Sequence, residues 1–219
     1  MKFNKIYFVL LMLLVVASQS CSDMNELTDK YLDEGEITYA AKVDSVGVRA
    51  GENRIQLDVY VKAQRVENLR VYWNNYEDSV DVEIGGKTGV FPIMLDGMPE
   101  SGYLFQLVSF DKFGNRSLEF EATGSSYGES YKNSLSNRTY TTEFTHYDVE
   151  GDSMVIYWGG TVRGAVGMEL QYTDTSDKTV RMEVPADATT TTLYNLKGNI
   201  SYNSRFLPEE NAIDTFIST

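Results

Sequence analysis

The residue types that carry most enzyme chemistry are scarce in this chain. Among its 219 residues there is one histidine, His146, and one cysteine, Cys21. A zinc site made from several histidine or cysteine ligands is excluded by this count. A Ser-His-Asp or Cys-His arrangement would depend on His146. That residue lies between Thr145 and Tyr147 in a predicted strand or strand end, and we interpret it as a surface or half-buried side chain.

Carboxylates are plentiful, with 32 Asp and Glu residues, so the composition is compatible with a glycosidase pair. A glycosidase needs two carboxyl groups facing each other across a cleft, which small sandwich domains rarely build. Asp148-Val149-Glu150-Gly151-Asp152 could offer oxygens to Ca²⁺, but it lacks the EF-hand spacing, and we interpret it as a solvated turn. No P-loop or dinucleotide glycine motif follows a strand. We therefore expect no enzyme, no catalytic residue, no cofactor and no metal site.

The residues before Cys21 indicate the role of this cysteine. Lys2 and Lys5 give a basic start, and Ile6 to Ala17 is an apolar run of 12 residues. This run suits an export signal and is shorter than the roughly 20 apolar residues that cross a bilayer. We predict a signal peptide over residues 1–20, followed by Cys21 as the lipidated first residue that is typical of a bacterial lipoprotein.

Two observations bear on the lipidation of Cys21. Ser18 stands where Leu or Val is usual before a lipidated cysteine, so an ordinary secreted protein with an incidental cysteine is the alternative. A single cysteine in an exported chain would otherwise be a free reactive thiol, and acylation removes that problem. A two- or three-chain anchor also provides stable membrane attachment.

The residues directly after Cys21 indicate a cellular location. Ser22-Asp23-Met24-Asn25-Glu26 resembles the serine-plus-acidic stretch that directs Bacteroidetes lipoproteins to the outer face of the outer membrane, although Met24 and Asn25 interrupt the acidic residues. We expect an outer-membrane, surface-exposed protein, with a periplasmic location as the alternative.

Net charge limits the partners. Residues 21–219 keep 17 basic and 32 acidic side chains, which is a net charge of −15. Such a chain does not bind nucleic acid by neutralising phosphates, and anionic membrane surfaces repel it. We therefore expect that membrane attachment depends on the lipid alone.

Short alternating apolar runs predict an all-β fold of two tandem sandwiches of the fibronectin type III or immunoglobulin-like class. Fifteen tyrosines and many Val, Ile and Thr residues favour strands. Seven runs lie in the first module, and a weaker form of the same plan follows, with Ala212 to Ile217 as its last strand. The predicted organisation is a tether over 21–36, a first domain over 37–124, a linker over 125–138 and a second domain over 139–219.

Two tyrosines are predicted to form tyrosine corners. Leu95-Asp96-Gly97-Met98-Pro99-Glu100-Ser101-Gly102-Tyr103 resembles the approach to strand F of fibronectin type III domains, where a tyrosine hydroxyl bonds back across the corner. Tyr103 would be that tyrosine, with Leu95 and Met98 closing the sandwich end. Tyr202 is predicted to play the same part in the second module.

The aromatic residues divide into core and surface candidates. Trp73 and Trp158 lie in phase with alternating apolar residues, so we predict that both pack in cores, with an exposed platform for a sugar ring as the alternative. Tyr72, Tyr76 and Tyr157 lie out of phase or in loops and are the candidate ligand-binding residues.

Several longer stretches carry a family resemblance. They are Tyr31 to Val46, Arg70 to Asn75, Asp78-Ser79-Val80, the residues Tyr127, Gly128, Tyr131, Leu135 and Arg138, and Leu207 to Phe216. Together they resemble a Bacteroidetes surface-lipoprotein domain family of unknown function with fibronectin type III-like domains. The resemblance covers nearly all of residues 21–219 and supplies no catalytic residues. Similar proteins often continue into a further carbohydrate-binding-like module, which we do not expect here because the chain stops at Thr219.

Two functions are compatible with these sequence features. The first is an accessory binding or presentation module with a polysaccharide or a surface protein as its partner. The second is a structural spacer or protein-binding adhesion stalk. Exposed aromatic residues clustered on one face would favour the first, and buried aromatics under an acidic exterior would favour the second.

Overall fold

The computed structural model describes residues 38–142, 146–148 and 153–218. The predicted signal peptide over 1–20, Cys21, the predicted tether over 21–36 and residues 149–152 of the predicted turn lie outside the described residues. Residues 40–219 form one compact unit. The described chain is almost entirely β, with one short helix, as the alternating apolar runs predict.

The first sandwich contains seven antiparallel strands in two sheets, ordered β1-β2-β5 and β4-β3-β6-β7. The strands are β1 (Ser45–Ala50), β2 (Arg54–Val61), β3 (Asn68–Trp73), β4 (Asp78–Glu83), β5 (Gly89–Asp96), β6 (Ser101–Phe110) and β7 (Phe120–Ser126).

The second half repeats this plan with sheets β12-β9-β8 and β11-β10-β13-β14. Three strands facing four in the same order is the fibronectin type III-like arrangement in both halves. The strands are β8 (His146–Asp148), β9 (Ser153–Tyr157), β10 (Ala165–Asp174), β11 (Thr179–Pro185), β12 (Thr190–Tyr194), β13 (Leu196–Phe206) and β14 (Phe216–Ile217).

Each core follows from the two-residue period of the strands. Every second residue of β2 is buried, namely Ile55, Leu57, Val59 and Val61. Full burial of such a side chain contributes about 1.5–3 kcal/mol, so this alternation fixes which face of β2 points inward. In the second core Trp158 is buried, and its Nε1 donates to Thr191 Oγ1 at 2.8 Å. Trp73 is half-buried against the first core, so neither tryptophan is an exposed platform.

The two predicted tyrosine corners have different outcomes. The Tyr103 hydroxyl donates to the Pro99 carbonyl at 2.8 Å, with Leu95 and Met98 buried nearby in the sequence, which confirms the first. The second prediction is wrong, because the Tyr202 hydroxyl donates to the carbonyl of Arg138 at 2.8 Å. Tyr202 therefore ties its strand to a segment 64 residues earlier rather than to its own corner.

Arg138 anchors the start of the second sandwich. Arg138 is only 3% exposed. The guanidinium donates twice to the Gly159 carbonyl, at 3.0 and 2.6 Å, and once to the Ala186 carbonyl at 2.8 Å. Its own N–H donates to Ser204 Oγ at 2.8 Å. Hydrogen bonds to charged groups contribute about 1.5–3 kcal/mol each, so these contacts offset the cost of burying the guanidinium.

The predicted linker contains a helix, α1 (Glu129–Ser134). The residue before it, Gly128, has no side chain to cap the first turn. The Glu100 carboxylate takes that role by accepting from the Ser130 N–H at 2.7 Å and the Tyr131 N–H at 2.8 Å. β7 continues to Ser126, so only two residues separate it from α1.

An aromatic cluster joins this connection to the second sandwich. The Tyr127 and Tyr131 rings lie 4.9 Å apart, and the buried Phe216 ring lies 6.4 and 5.0 Å from them, edge to face. Aromatic pairs in this geometry contribute about 0.5–1.5 kcal/mol beyond their area burial.

The segment before β14 differs from the predicted last strand. The sequence predicts pairing over 212–217, but only Phe216 and Ile217 pair with β13. The preceding residues contact the first sandwich instead, where the Ile213 N–H donates to the Ala50 carbonyl at 2.8 Å. The alternating pattern is present, but the hydrogen-bond partners lie in the other half of the chain.

Asp214 is the centre of this contact. Its carboxylate accepts from the Arg54 guanidinium at 2.5 and 2.8 Å and from the Glu52 N–H at 2.8 Å. Gly51 permits the approach, because an added Cβ would lie 2.6 Å from Asp214 Oδ2 and 2.8 Å from Ile213 Cγ1. Only glycine fits at position 51 without displacing the returning segment.

Replacing Asp214 with Asn should loosen the contact between the returning segment and the first sandwich. We expect the amide hydrogens of Glu52 and Ile213 to exchange about two- to fivefold faster, a small effect because Arg54 is partly exposed and solvent screens the pair. Asp177→Asn is the matched control, because it breaks an ion pair with Lys197 in the second sandwich. Unchanged exchange in Asp214→Asn would contradict the role assigned to this carboxylate.

The effect of Asp214→Asn on amide exchange should depend on pH. The hydrogen bond from Arg54 holds the pKa of Asp214 below its ordinary value, against the opposing effect of desolvation. A lowered folded-state pKa means that the stabilisation is present above the unfolded pKa of about 4 and is lost as pH falls through the folded pKa. The exchange difference between wild type and Asp214→Asn should therefore disappear below that range.

Candidate functional site

Two of the three candidate tyrosines meet on the outer face of the first sandwich. Tyr72 lies on β3, whose alternate residues Leu69 and Val71 are buried in the core, so its side chain belongs to the outer face. Tyr76 lies in the turn that joins β3 to β4 and is 49% exposed. The ring centroids are 5.2 Å apart at an interplanar angle of 59°. We call this pair the tyrosine patch.

The turn that carries Tyr76 has an unusual backbone. Asn74, Asn75 and Tyr76 have φ values of 50°, 53° and 67°, and the Glu77 N–H donates to the Asn74 carbonyl at 3.1 Å. Positive φ at both central residues is the requirement of a type I′ hairpin turn, which favours Asn followed by Gly. A tyrosine in this conformation costs about 1–3 kcal/mol, so other contacts of Tyr76 must offset that cost.

Glu119 provides one such contact. The Tyr76 hydroxyl donates to Glu119 Oε2 at 2.9 Å. The Arg116 guanidinium donates to the other carboxylate oxygen, Oε1, at 3.2 Å. The hydrogen bond to Glu119, followed by desolvation, raises the pKa of Tyr76.

Arg70 borders the patch beside the Tyr72 ring. Its guanidinium donates to both oxygens of Asp81, at 2.5 and 2.7 Å, and this hydrogen bonding lowers the pKa of Asp81. The same guanidinium lies 6.0 Å from the Tyr72 ring centroid. A depression of about 370 Å³, lined by Asn68, Arg70, Asp81 and Phe110, continues from this edge.

Gln106 lies at the base of the patch. It faces Tyr72 across the β3–β6 pairing, is 7% exposed, and its Oε1 accepts no hydrogen bond from any described residue. The sequence patterns single out none of Gln106, Arg70 and Glu119 as site residues. A glutamine inside the otherwise apolar run of β6 was the available signal for Gln106.

Tyr157, the third candidate, is not brought to the patch. It lies on β9 in the second sandwich and is 36% exposed. Its candidacy as a binding residue remains a separate prediction.

The second sandwich carries a larger depression of about 490 Å³ over β10, β11 and β13. The outward-facing side chains that line it are polar or charged, namely Glu169, Gln171, Arg181, Glu183, Ser201 and Asn203. It can hydrogen-bond a ligand, but these side chains offer no aromatic ring on which a ligand could stack.

The described residues contain neither a metal cluster nor a membrane-spanning helix. Within residues 38–142, 146–148 and 153–218, no group of three His, Cys, Asp or Glu residues is arranged to hold a metal ion. No helix in the part of the chain that the structure describes is long and apolar enough to span a membrane. His146 lies in β8.

The raised pKa of Tyr76 can be measured by difference. We expect the tyrosinate absorbance of wild type minus Tyr76→Phe to titrate with a midpoint above the ordinary value of about 10. Because the folded pKa is raised, the stabilisation is present below pH 10 and is lost as pH rises through the folded pKa.

Glu119→Gln should move that midpoint back toward the ordinary value, because the charged acceptor is removed. Glu169→Gln, in the second sandwich, is the control and should leave it in place. An unshifted midpoint in the wild-type difference titration would show that the hydroxyl is not bonded to Glu119.

Comparison with known proteins gives a family and distant structural similarities. No curated protein matches the chain at a significant level. The structure of the chicken CNTN1 FN1–FN3 domains matches with a TM-score of 0.46 and 14% identity, over 82% of this chain and 65% of that one. The two fibronectin type III domain segment from chicken tenascin matches with a TM-score of 0.32 and 14% identity, over 81% and 98% of the two chains.

The sequence match is more direct than the structural ones. The family model DUF4998, a domain of unknown function, matches residues 21–216. The match covers both sandwiches, and the chain therefore belongs to this family.

Proposed function

We propose that this protein is a non-enzymatic outer-membrane lipoprotein that binds and presents glycans through the tyrosine patch. The observation that carries the proposal is the contact between Tyr72 and a half-exposed Tyr76 on one sheet face, held at the cost of a left-handed tyrosine backbone. Strained residues that the surroundings hold in place concentrate at functional sites.

The patch has the chemistry that a sugar ring requires. The face of an aromatic ring carries negative charge density, which attracts the polarised C–H groups on the apolar face of a pyranose. Arg70, which lies beside the Tyr72 ring, and Glu119, which accepts from the Tyr76 hydroxyl, provide a donor and an acceptor for hydroxyl groups. A few placed polar groups beside an apolar surface are the usual composition of a small-molecule site.

Charge narrows the ligand class to neutral glycans. The mature chain carries a net charge of −15, and Glu119 and Glu121 lie on or beside β7 near the patch. An anionic polysaccharide would approach against this field. A neutral one gains stacking and hydrogen bonds without that repulsion.

The non-enzymatic part of the proposal is supported by how the carboxylates around the patch are used. Asp81 is held by Arg70, and Glu119 by Tyr76 and Arg116. Their pairing orients side chains, whereas a glycosidase would need two carboxyl groups aimed across a bound sugar.

The lipid anchor and the surface location rest on the sequence around Cys21. A basic start, a short apolar run and a cysteine followed by an acidic stretch support export and acylation. The binding module would then be held outside the cell by its amino terminus.

A structural spacer or protein-binding stalk is the second candidate. The contact of Asp214 and Ile213 with the first sandwich favours it, because this contact limits bending between the two halves. A stiff rod is what a spacer needs, and this role does not use the tyrosine patch.

Affinity electrophoresis against neutral polysaccharides tests the binding role. We expect retardation of the wild-type protein, and about a tenfold weaker affinity in Tyr72→Ala, because this substitution removes a stacking surface. Tyr194→Ala is the matched control, since Tyr194 is an exposed tyrosine of the second sandwich.

Two outcomes of that experiment would count against the patch. Migration unchanged in every neutral polysaccharide would remove glycan binding and leave the spacer role. Retardation that survives Tyr72→Ala would place the binding surface elsewhere, with Tyr157→Ala as the next variant.

Incorporation of labelled palmitate tests the acylation of Cys21, and protease treatment of intact cells tests whether the protein is exposed on the cell surface. In a bacterium with a lipoprotein pathway, the full chain should incorporate palmitate and Cys21→Ser should not. Protease added to intact cells should remove the labelled protein. Wild-type protein without label would reject acylation, and labelled protein that survives the protease would place it on the periplasmic side.

A further inference from the structure

We propose that Gln106 is the hydrogen-bonding group of the tyrosine patch and that Tyr76 covers it until a ligand hydroxyl takes its place. The inference rests on the proposed glycan-binding function and deepens it. It assigns the ligand as a neutral polyhydroxylated ring, and it assigns distinct roles to two residues of one site.

The first step is the direction of the Gln106 side chain. Its neighbours Phe105 and Leu107 belong to the first core, and side chains alternate along a strand. Gln106 therefore belongs to the outer face, in register with Tyr72 on one side and Glu121 on the other. Outward residues of a sandwich are normally solvated, yet Gln106 is only 7% exposed.

The second step identifies what covers it. The sheet order is β4-β3-β6-β7, so β6 lies between β3 and β7. The Tyr76 ring contacts Tyr72 on β3, and its hydroxyl reaches Glu119 beside β7. A side chain with those two contacts must cross β6, and the outward residue of β6 beside Tyr72 is Gln106.

The third step is the missing partner. No described residue donates to Gln106 Oε1, which is shielded from solvent. Buried polar atoms in folded proteins nearly always have a hydrogen-bond partner, and burial without one is costly. A leucine at position 106 would fill this place without that cost. The glutamine at this position is useful only in a state in which its Oε1 accepts a hydrogen bond.

The fourth step is the ease of uncovering. Tyr76 is held closed by one hydroxyl contact and one ring contact, while its backbone is strained in the left-handed region. Relaxation of the turn relieves this strain and exposes Gln106. A ligand that pairs with Gln106 and stacks on the rings favours the open state by its differential affinity.

The ligand chemistry follows from these groups. Oε1 accepts a hydrogen bond, so the ligand must bring a donor, and an O–H of a sugar meets that need while its ring stacks on tyrosine. Anions are disfavoured by Glu119 and Glu121. A purely aromatic ligand would stack but leave the acceptor unpaired, which costs affinity.

Gln106→Leu is the decisive variant, with Gln56→Leu as its control. Gln56 also faces outward, on β2 of the opposite sheet, but its amide nitrogen already donates to Asp58 at 2.7 Å. Without ligand, we expect the thermal unfolding midpoint to rise in Gln106→Leu and to fall in Gln56→Leu. A fall in both would show that Gln106 is paired in the free protein and would overturn the inference.

Affinity electrophoresis in dextran, xylan, mannan and galactan, with polygalacturonate as the anionic comparison, measures the second effect. We expect Gln106→Leu to bind the retarding neutral polysaccharide about tenfold more weakly, and Gln56→Leu to bind as wild type does. Unchanged affinity in Gln106→Leu, with loss in Tyr72→Ala, would overturn the inference and leave the proposed function standing. Wild type that none of these polymers retards would overturn both.

Tyr76→Phe tests the covering role separately. It keeps the ring but removes the contact with Glu119 that holds the closed state, so the binding-competent population rises. We expect a few-fold tighter binding of the same polysaccharide. Equal or weaker binding would mean that Tyr76 does not cover the site.

Discussion

One carboxylate, Asp214, connects the two halves of this protein. It arrives on a segment that has already left the second sandwich, and it accepts hydrogen bonds from the backbone and a side chain of the first. The contact depends on Gly51, because any side chain there would occupy the space of the returning segment. Two sandwiches on a simple linker would bend freely, whereas here Phe216 also packs on Tyr131 of the connecting helix. A chain whose last segment contacts its own first domain behaves as one unit, which suits both functions proposed above.

Local strain and its compensation define the tyrosine patch. The left-handed Tyr76 backbone is unfavourable by itself, and the hydroxyl contact with Glu119 and the ring contact with Tyr72 offset part of that cost. The unpaired acceptor of Gln106 adds a second cost at the same place. Folding alone gives no reason to place two costs on one sheet face. Their coincidence is what distinguishes the patch from an ordinary half-exposed pair of tyrosines.

Sequence reasoning reached the fold because its signals are local. Alternation predicts strands such as β2, and the spacing from Leu95 to Tyr103 predicts a hydrogen bond that spans four residues. It failed for Tyr202 because the hydroxyl has its partner on Arg138, which no local spacing reveals. The candidate site was predicted only in part for the same reason. Tyr72 and Tyr76 are close in sequence, whereas Glu119 joins them from 43 residues away.

The second sandwich serves as an internal comparison for the patch. Its hairpin between β10 and β11 has four loop residues, as the hairpin between β3 and β4 does. The third loop residue has positive φ in both, but it is Asp177 in one and Tyr76 in the other. Aspartate adopts the left-handed region at a lower cost than a bulky aromatic residue does. The fold is therefore satisfied by a residue that costs less at this position, so the tyrosine of the first sandwich reflects a demand other than folding.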